Sequence, residues 1–594
     1  MVQELLALKA VNAISILFDV QIDTDDITIQ RTIPNFREQG DYSLVVFPLL
    51  KISKKSPEET ARLIGDNMLD TTPELDSYTV IKGFLNLKLK DAVWINFLND
   101  NYALEKFGIL SVNDEEPPVV VEFSSPNTNK PLHLGHIRNN LLGDSISRIL
   151  NANGQKVIKV NLVNDRGIHI CKSMLAWKLF GNDASPESTS KKGDKLVGDF
   201  YVLFDKKLRE EVAQLKGQGM SEEEATAAST LMAKARQMLI LWEQQDVDVR
   251  SLWSKMNSWV YSGFEETYKI LGIEFDKTYY ESDTYLLGKE IVEDGVNRNV
   301  LYRKDDNSVW IDLAADGLDE KLLLRADGTS VYMTQDLGTA QLRYDEFHPK
   351  SMIYVVGNEQ NYHFDVLKLV LSKLGKYWAE SLMHLSYGMV ELPEGKMKSR
   401  EGKVVDADDL VDEMINTARE MTLELGKIED FENEEALELY RKVGLGALKY
   451  FILKVDPKKN MVFNPAESID FNGNTGPFIQ YTYARIQSIM RKAKDIDIAF
   501  STTTPLHNKE TGLLILNYSF PQILQQAAEE YAPSVIANYL YELAKEYNQF
   551  YHELTILKED DAEKKALRLA LSQLTSYNLK NGMQMLGIEV PERM

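Results

Sequence analysis

Between Val119 and Asn140 a β-branched run ends in a polar loop that opens directly into an amphipathic segment: Val119-Val-Val-Glu122-Phe-Ser-Ser-Pro-Asn127-Thr-Asn-Lys130-Pro-Leu-His133-Leu-Gly135-His136-Ile-Arg-Asn-Asn. The apolar spacing of Ile137, Leu141, Ile146 and Ile149 predicts a helix over His136–Asn151, stopped by Gly154, and Lys156–Val163 reads as the next strand. Strand, helix and strand at this spacing form a parallel crossover, so the pattern predicts a doubly wound α/β sheet. Ligands of such sheets bind at the carboxyl ends of the strands, where this loop lies. Two histidines three residues apart then stand at a helix N-terminus, where unpaired N–H groups and the positive dipole end favour phosphate. The chain has eight histidines in all, so this pairing is informative, and Gly135 between them allows close backbone approach. Zinc is a weaker reading, because helical zinc pairs are spaced i, i+4 around a carboxylate. The segment points to nucleotide chemistry.

At 594 residues, 44% hydrophobic and 26% charged, the chain reads as a soluble globular protein of several domains. No run approaches the roughly 18–20 apolar residues that span a bilayer, and the N-terminus does not resemble a secretory signal. No membrane partner and a cytoplasmic location are expected. Cys171 is the single cysteine, which excludes an intrachain disulfide and a multi-cysteine zinc site. The net charge of −23 argues against general nucleic-acid affinity, and no DNA partner is expected, while a local basic face for RNA is left open.

Residues 1–115 read as an α+β unit, with a strand at Tyr42–Leu50, a helix capped near Ser56 and an alternating run from Tyr78. A nucleotide-binding unit is expected over 116–425, interrupted at about 177–285 by charge-rich helices carrying Trp242, Trp253 and Trp259. Strand–helix alternation returns at Met352–Val356, His363–Leu374 and Leu385–Val390. Residues 426–594 read as almost entirely helical.

After the last expected strand comes Lys396-Met-Lys398-Ser399-Arg400-Glu-Gly402, a basic loop suited to closing over a triphosphate and neutralising a leaving pyrophosphate. Together with His133-Leu-Gly-His136 it resembles the two signatures of class I aminoacyl-tRNA synthetases. The arginyl family is resembled by Glu122 to Asn127, by Arg325-Ala-Asp-Gly-Thr-Ser-Val-Tyr332-Met-Thr-Gln-Asp336 and by Ile353-Tyr-Val-Val-Gly-Asn-Glu-Gln360. The resemblance extends to Gly83-Phe84-Leu-Asn86, to Asn474 through Tyr481 to Arg485, and to the terminal Pro591-Glu-Arg-Met594, and so covers essentially the whole chain. One departure stands out: Ser399 occupies the usual signature lysine, with Lys398 before it. In arginyl enzymes a lysine ahead of the first signature is thought to substitute, and Lys130 sits there; the sequence leaves both Lys130 and Lys398 open for that role.

The resemblance implies a Rossmann-type catalytic unit between a tRNA-binding N-terminal unit and a helical anticodon-binding unit. It implies ATP contacts at His133, Gly135, His136, Lys398 and Ser399, with Lys130, Lys396 and Arg400 assisting catalysis. Arginine would be held by Tyr332 and Asp336, with Glu281 as a second carboxylate and Asn127, Gln360 and Glu122 at its α-amino and carboxylate ends. A guanidinium is a planar fork best met by carboxylates. Phe84 and Asn86 would read the tRNA elbow, and Tyr481 and Met594 the anticodon, where aromatics stack on unpaired bases. The cluster Tyr547, Phe550 and Tyr551 reads as packing. The implied reaction joins arginine to tRNA(Arg) at the expense of ATP with Mg²⁺, without zinc, in a monomer, and with activation dependent on bound tRNA. The alternatives are another class I synthetase such as the cysteinyl type, in which zinc is expected, a non-catalytic tRNA-binding paralogue, and a simple nucleotidyltransferase.

Overall fold

The structure is a computed structural model, and it describes residues 2–32, 39–391, 393, 405–424 and 432–594. The N-terminal unit packs helices α1 (Val2–Phe18) and α2 (Pro57–Thr71) on an antiparallel sheet. Its strands are β1 (Ile29–Arg31), β2 (Tyr42–Val45), β3 (Leu75–Ile81) and β4 (Phe84–Leu89), in the order β1-β2-β4-β3. The strand expected to reach Leu50 ends at Val45, because Pro48 lacks the N–H a ladder needs and Phe47–Leu49 turns as a 3₁₀ helix. Ser56 caps α2 by accepting from the Glu59 N–H at 3.2 Å. The alternating run from Tyr78 folds back on itself at Lys82 and Gly83, whose φ values of 49° and 78° make the left-handed pair of a tight hairpin turn.

The central sheet is wholly parallel. It contains β5 (Val119–Glu122), β6 (Val157–Val163), β7 (Lys277–Tyr280), β11 (Ser351–Gly357) and β12 (Leu382–Tyr387), in the order β12-β11-β5-β6-β7. Between β7 and β11 stands a small antiparallel sheet of β8 (Tyr302–Arg303), β9 (Val309–Ile311) and β10 (Lys321–Leu324). Val119, Val120 and Val121 are buried, as a central strand covered on both faces requires. The strand order reverses between β5 and β11, which places a crevice at their carboxyl ends. The helix α3 (Leu134–Ala152) begins at that crevice and runs against β6.

Between β6 and β7 the chain is helical, with α4 (Ile168–Phe180), α5 (Gly193–Gly217), α6 (Thr230–Glu243) and α7 (Val247–Leu271) as its long elements. Trp242 packs edge-on to Trp253 at 5.5 Å, whereas Trp259 pairs with Trp177 at 6.2 Å. Helices α8 (Tyr332–Phe347) and α9 (Asn361–Lys373) flank β11. Beyond β13 (Val390–Glu391) come α10 (Ala407–Glu424), α11 (Asn433–Leu453), the two-residue β14 (Met461–Val462) and a bundle formed by α12 (Gly476–Lys492), α13 (Asn508–Tyr518), α14 (Phe520–Glu529), α15 (Pro533–Glu553) and α16 (Ala562–Met585). No helix among the described residues is long and apolar enough to cross a membrane.

Candidate active site

His133 is the N-cap of α3, and the two histidines arrange each other through the backbone. The Gly135 N–H donates to His133 Nδ1 at 3.1 Å, and the His133 N–H donates to His136 Nδ1, also at 3.1 Å. Their rings lie 3.9 Å apart. Burial, and then the Lys130 charge, pushes the His133 pKa down to about 4. Burial, His133 and Lys130 push His136 well below the ordinary histidine value. Both rings are therefore neutral at pH 7. With Nδ1 accepting from the backbone, the proton of each ring sits on Nε2, available to donate. Burial also draws the Lys130 ammonium below the ordinary lysine value. Two N–H donors, a cation and a helix N-terminus make a corner that a phosphate would complete.

Lys396, Lys398, Ser399 and Arg400 lie outside the described residues, but both flanks of their segment are anchored at this corner. On the exit side the Leu134 N–H donates to the Val405 carbonyl at 3.3 Å and the Ala407 N–H to the Leu132 carbonyl at 3.0 Å. Lys192 reaches Asp408 at 2.5 Å and Lys195 reaches Asp409 at 2.8 Å, tying the start of α10 to the helices between β6 and β7. On the entry side β13 pairs with β14 in parallel.

The opposite side of the crevice is acidic. Asp165, following β6, is buried and accepts from Tyr261 Oη at 2.8 Å, the Ser282 N–H at 2.8 Å and Ser282 Oγ at 2.7 Å; burial raises its pKa. Glu281, following β7, lies 3.8 Å from the Arg166 guanidinium. Burial, opposed by Arg166 and reinforced by Asp165 and Asp336, pushes the Glu281 carboxyl up to about 7. Asp336, one turn into α8, takes a 2.6 Å contact from His363 Nε2 on its Oδ2. Arg166 itself is held by Glu243 at 2.9 Å and stacks 4.0 Å from the Tyr285 ring. Three carboxylates thus gather beside Arg166, which is shared between Glu243 and Glu281, and a further guanidinium would complement them. The sequence reading named Glu281 and Asp336 but missed Asp165, Arg166 and His363. Asn164-Asp-Arg-Gly167 does carry a signal, being a polar turn directly after a strand.

The remaining expected arginine contacts are placed differently. Asn127 is exposed on the loop after β5, bridged to Asn164 at the end of β6. Tyr332 opens α8 with 79% of its surface exposed, and Gln360 is exposed just past β11. Glu122 is buried, and its carboxylate is engaged by Arg343, a fully buried guanidinium 4.9 Å from the Tyr279 ring. The structure therefore commits Glu122 to an internal ion pair.

Of the expected tRNA contacts, Phe84 is half-buried against Phe47 at 5.8 Å. Asn86 is 4% exposed, and its Oδ1 accepts from Ser43 Oγ at 2.6 Å within the sheet. Tyr481 and Met594 meet in a cleft of about 660 Å³ lined also by Arg485, Arg491, Lys492, Tyr551 and Lys558. Arg485 lies 4.9 Å from the Tyr481 ring and 5.1 Å from the Tyr551 ring. This is the local basic face that the acidic net charge conceals. Tyr547 and Phe550 are fully buried, as a packing role requires, but Tyr551 opens onto the cleft, because it lies in the last turn of α15 where the bundle's cover ends.

Comparison with known proteins agrees along the whole chain. The model of tRNA synthetases class I (R), catalytic domain, matches residues 103–465; that of the arginyl tRNA synthetase N terminal domain matches 5–89; and that of the DALR anticodon binding domain matches 479–594. Proteins named arginine–tRNA ligase from Bacteroides thetaiotaomicron and Parabacteroides distasonis are each 56% identical to it, the first over 100% of both chains and the second over 97% of both. In fold it matches the arginyl-tRNA synthetase of Thermus thermophilus, with a TM-score of 0.79 at 24% identity over 100% of both chains. The Plasmodium falciparum arginyl-tRNA synthetase gives 0.75 at 21% identity, over 100% of this chain and 99% of that one. On these matches the chain belongs to the arginyl-tRNA synthetase family of class I aminoacyl-tRNA synthetases.

Proposed function

We propose that this chain charges tRNA(Arg) with arginine, in two steps carried out in the β5–β11 crevice. In the first, a carboxylate oxygen of arginine attacks the α-phosphorus of ATP, the bond from that phosphorus to the bridging oxygen breaks, and pyrophosphate leaves. In the second, the 2′-hydroxyl of the tRNA's terminal adenosine attacks the arginyl carbonyl, AMP departs, and the hydroxyl proton passes to solvent or the released phosphate. His133 and His136 donate from Nε2 to phosphate oxygens as charge develops, and Lys130 supplies a cation beside them. The loop bearing Lys396, Lys398, Ser399 and Arg400 serves the leaving pyrophosphate. Catalysis on this reading is positioning and electrostatics, with no covalent enzyme intermediate.

Asp336, Tyr332 and Glu281 receive the arginine guanidinium, while Asn127 and Gln360 border its other end. Mg²⁺ enters as the companion of ATP; among the described residues no group of three or more His, Cys, Asp or Glu side chains is placed to hold a metal. Residues 1–115 and 426–594 serve as tRNA-binding units around a catalytic unit at 116–425, with the basic cleft at Tyr481, Tyr551 and Met594 taking unpaired anticodon bases. The protein acts as a monomer in the cytoplasm, and arginine activation requires bound tRNA.

The observation that carries this reading is the contrast between the two sides of one crevice: Lys130 with two neutral N–H-donating histidines at one, the carboxylates of Asp165, Glu281 and Asp336 at the other. ATP–pyrophosphate exchange, measured with each amino acid with and without tRNA, tests it. Exchange with arginine only when tRNA is present is the expected result, and exchange driven by a different amino acid would refute it.

A further inference from the structure

The helix that starts at His133 carries a buried guanidinium that makes no salt bridge among the described residues. Arg138, two residues beyond His136, is 1% exposed, and among the described residues its hydrogen bonds run to backbone carbonyls alone. Nη2 donates to the Lys459 carbonyl at 2.7 Å and to that of Pro457 at 3.1 Å, and Nη1 donates to Met389 at 3.4 Å. The acceptors belong to two strand ends that meet there. The Gly388 N–H donates to Pro457 at 2.8 Å, the Met389 N–H to Asn460 Oδ1 at 2.8 Å and the Met461 N–H to Met389 at 2.9 Å. The joint is closed tightly: a Cβ on Gly388 would lie 2.4 Å from the Lys459 backbone. The neighbouring Asn139 faces the sheet instead, donating to the Val355 carbonyl and accepting from the Ser124 N–H, each at 2.6 Å. Adjacent residues of one helix thus hold two different parts of the crevice. Burying a guanidinium without a direct ion pair is costly even with Asp456 and Tyr387 nearby, and apolar packing would hold a helix at less expense, so the fork's geometry is what this position supplies.

We infer that Arg138 is a positioning residue for ATP: its guanidinium fixes the separation between the phosphate-binding start of α3 and β13, the strand that leads toward the second signature. This deepens the reading given under Proposed function and rests on it for the identity of the nucleotide. A lysine at 138 keeps the charge but cannot span three carbonyls with a planar fork. The loss therefore falls on ATP and leaves the arginine pocket, formed by β6, β7 and α8, as it was.

The test is equilibrium binding of a non-hydrolysable ATP analogue, and separately of arginine, to full-length wild type and Arg138→Lys. The analogue Kd should rise about tenfold while the arginine Kd stays within about twofold, in keeping with the loss of charge-assisted bonds at one end of the crevice. In exchange assays the ATP KM should rise by a similar factor with the arginine KM unmoved. A lower Tm with both affinities unchanged would mean mere packing and overturn the inference, as would equal weakening of both ligands. If Arg138→Lys does not fold, Asn460→Ala loosens the same joint without touching a buried charge. It should raise the analogue Kd alone, by about threefold, and no change would overturn the inference. Analogue binding needs no amino acid, so a wild type lacking arginine-dependent exchange would break the proposed function and leave this result readable.

Discussion

At the His133 side of the crevice, burial depresses the basicity of Lys130, His133 and His136, and the Lys130 charge adds to it at both histidines; at the Glu281 side, burial raises the carboxyl pKa of Asp165 and Glu281, with Arg166 opposing and Asp165 and Asp336 reinforcing the rise at Glu281. The two regions share the carboxyl edge of one sheet and differ in chemical character. The first gathers a cation and two neutral N–H donors, the second carboxylates beside Arg166, and each suits a ligand of complementary charge. A triphosphate suits the first and a guanidinium the second. The difference teaches that selection of the two substrates is local: changes at one side should leave affinity for the other substrate intact.

The largest break in that symmetry should come from the histidines. His136→Ala removes a donor aimed at developing charge and should lower the exchange rate about 10²–10³-fold, with arginine binding unchanged by calorimetry. Asp336→Asn removes half of the carboxylate fork and should raise the arginine KM about 30–100-fold while the ATP KM holds, a split visible in steady-state exchange.

A pH titration sharpens the comparison further. Glu281 has a raised pKa of about 7, so in the free enzyme it gains a proton as pH falls through 7, and the protonated acid cannot pair with a guanidinium. The arginine KM should therefore rise between pH 7.5 and 6, by at most about tenfold per unit. Glu281→Gln should flatten that profile. His133, titrating near 4, contributes nothing in this window. The smallest effect concerns the distant cleft: Tyr551→Ala should weaken tRNA binding about five- to tenfold, within the range for one stacked base, and leave exchange at saturating tRNA unchanged.

The phosphate side was legible in the sequence because its parts are local. Val119 to His136 is one continuous strand, loop and helix start, and each element follows from short-range pattern. The arginine side was legible only through resemblance, since Asp165 follows β6, Glu281 follows β7 and Asp336 lies within α8, and they meet only when β6 and β7 pair and α8 packs beside them. Asp165 and Arg166 escaped for that reason, although they occupy a strand's carboxyl end as the first signature does. The antiparallel strands β8 to β10 were missed because runs of two to four residues carry too little alternation to register. The strand expected at Tyr42–Leu50 overran because apolar content continues past Pro48 while ladder bonding cannot. Asn86 was assigned to the tRNA elbow by resemblance alone; in the fold Ser43 and Thr79 flank it in register and the chain at Gln39 lies over that face, held by Thr79 Oγ at 2.6 Å.

The most direct measurement is exchange with citrulline in place of arginine, at saturating ATP and tRNA. Citrulline keeps the shape of arginine but replaces the guanidinium with a neutral ureido group, so the acidic side of the crevice loses the cation it pairs with and meets a carbonyl oxygen in its place. The account predicts that citrulline supports exchange at least about 10³-fold less efficiently than arginine in the wild type, and that Asp336→Asn narrows this gap. Comparable kcat/KM for the two amino acids in the wild type would contradict it.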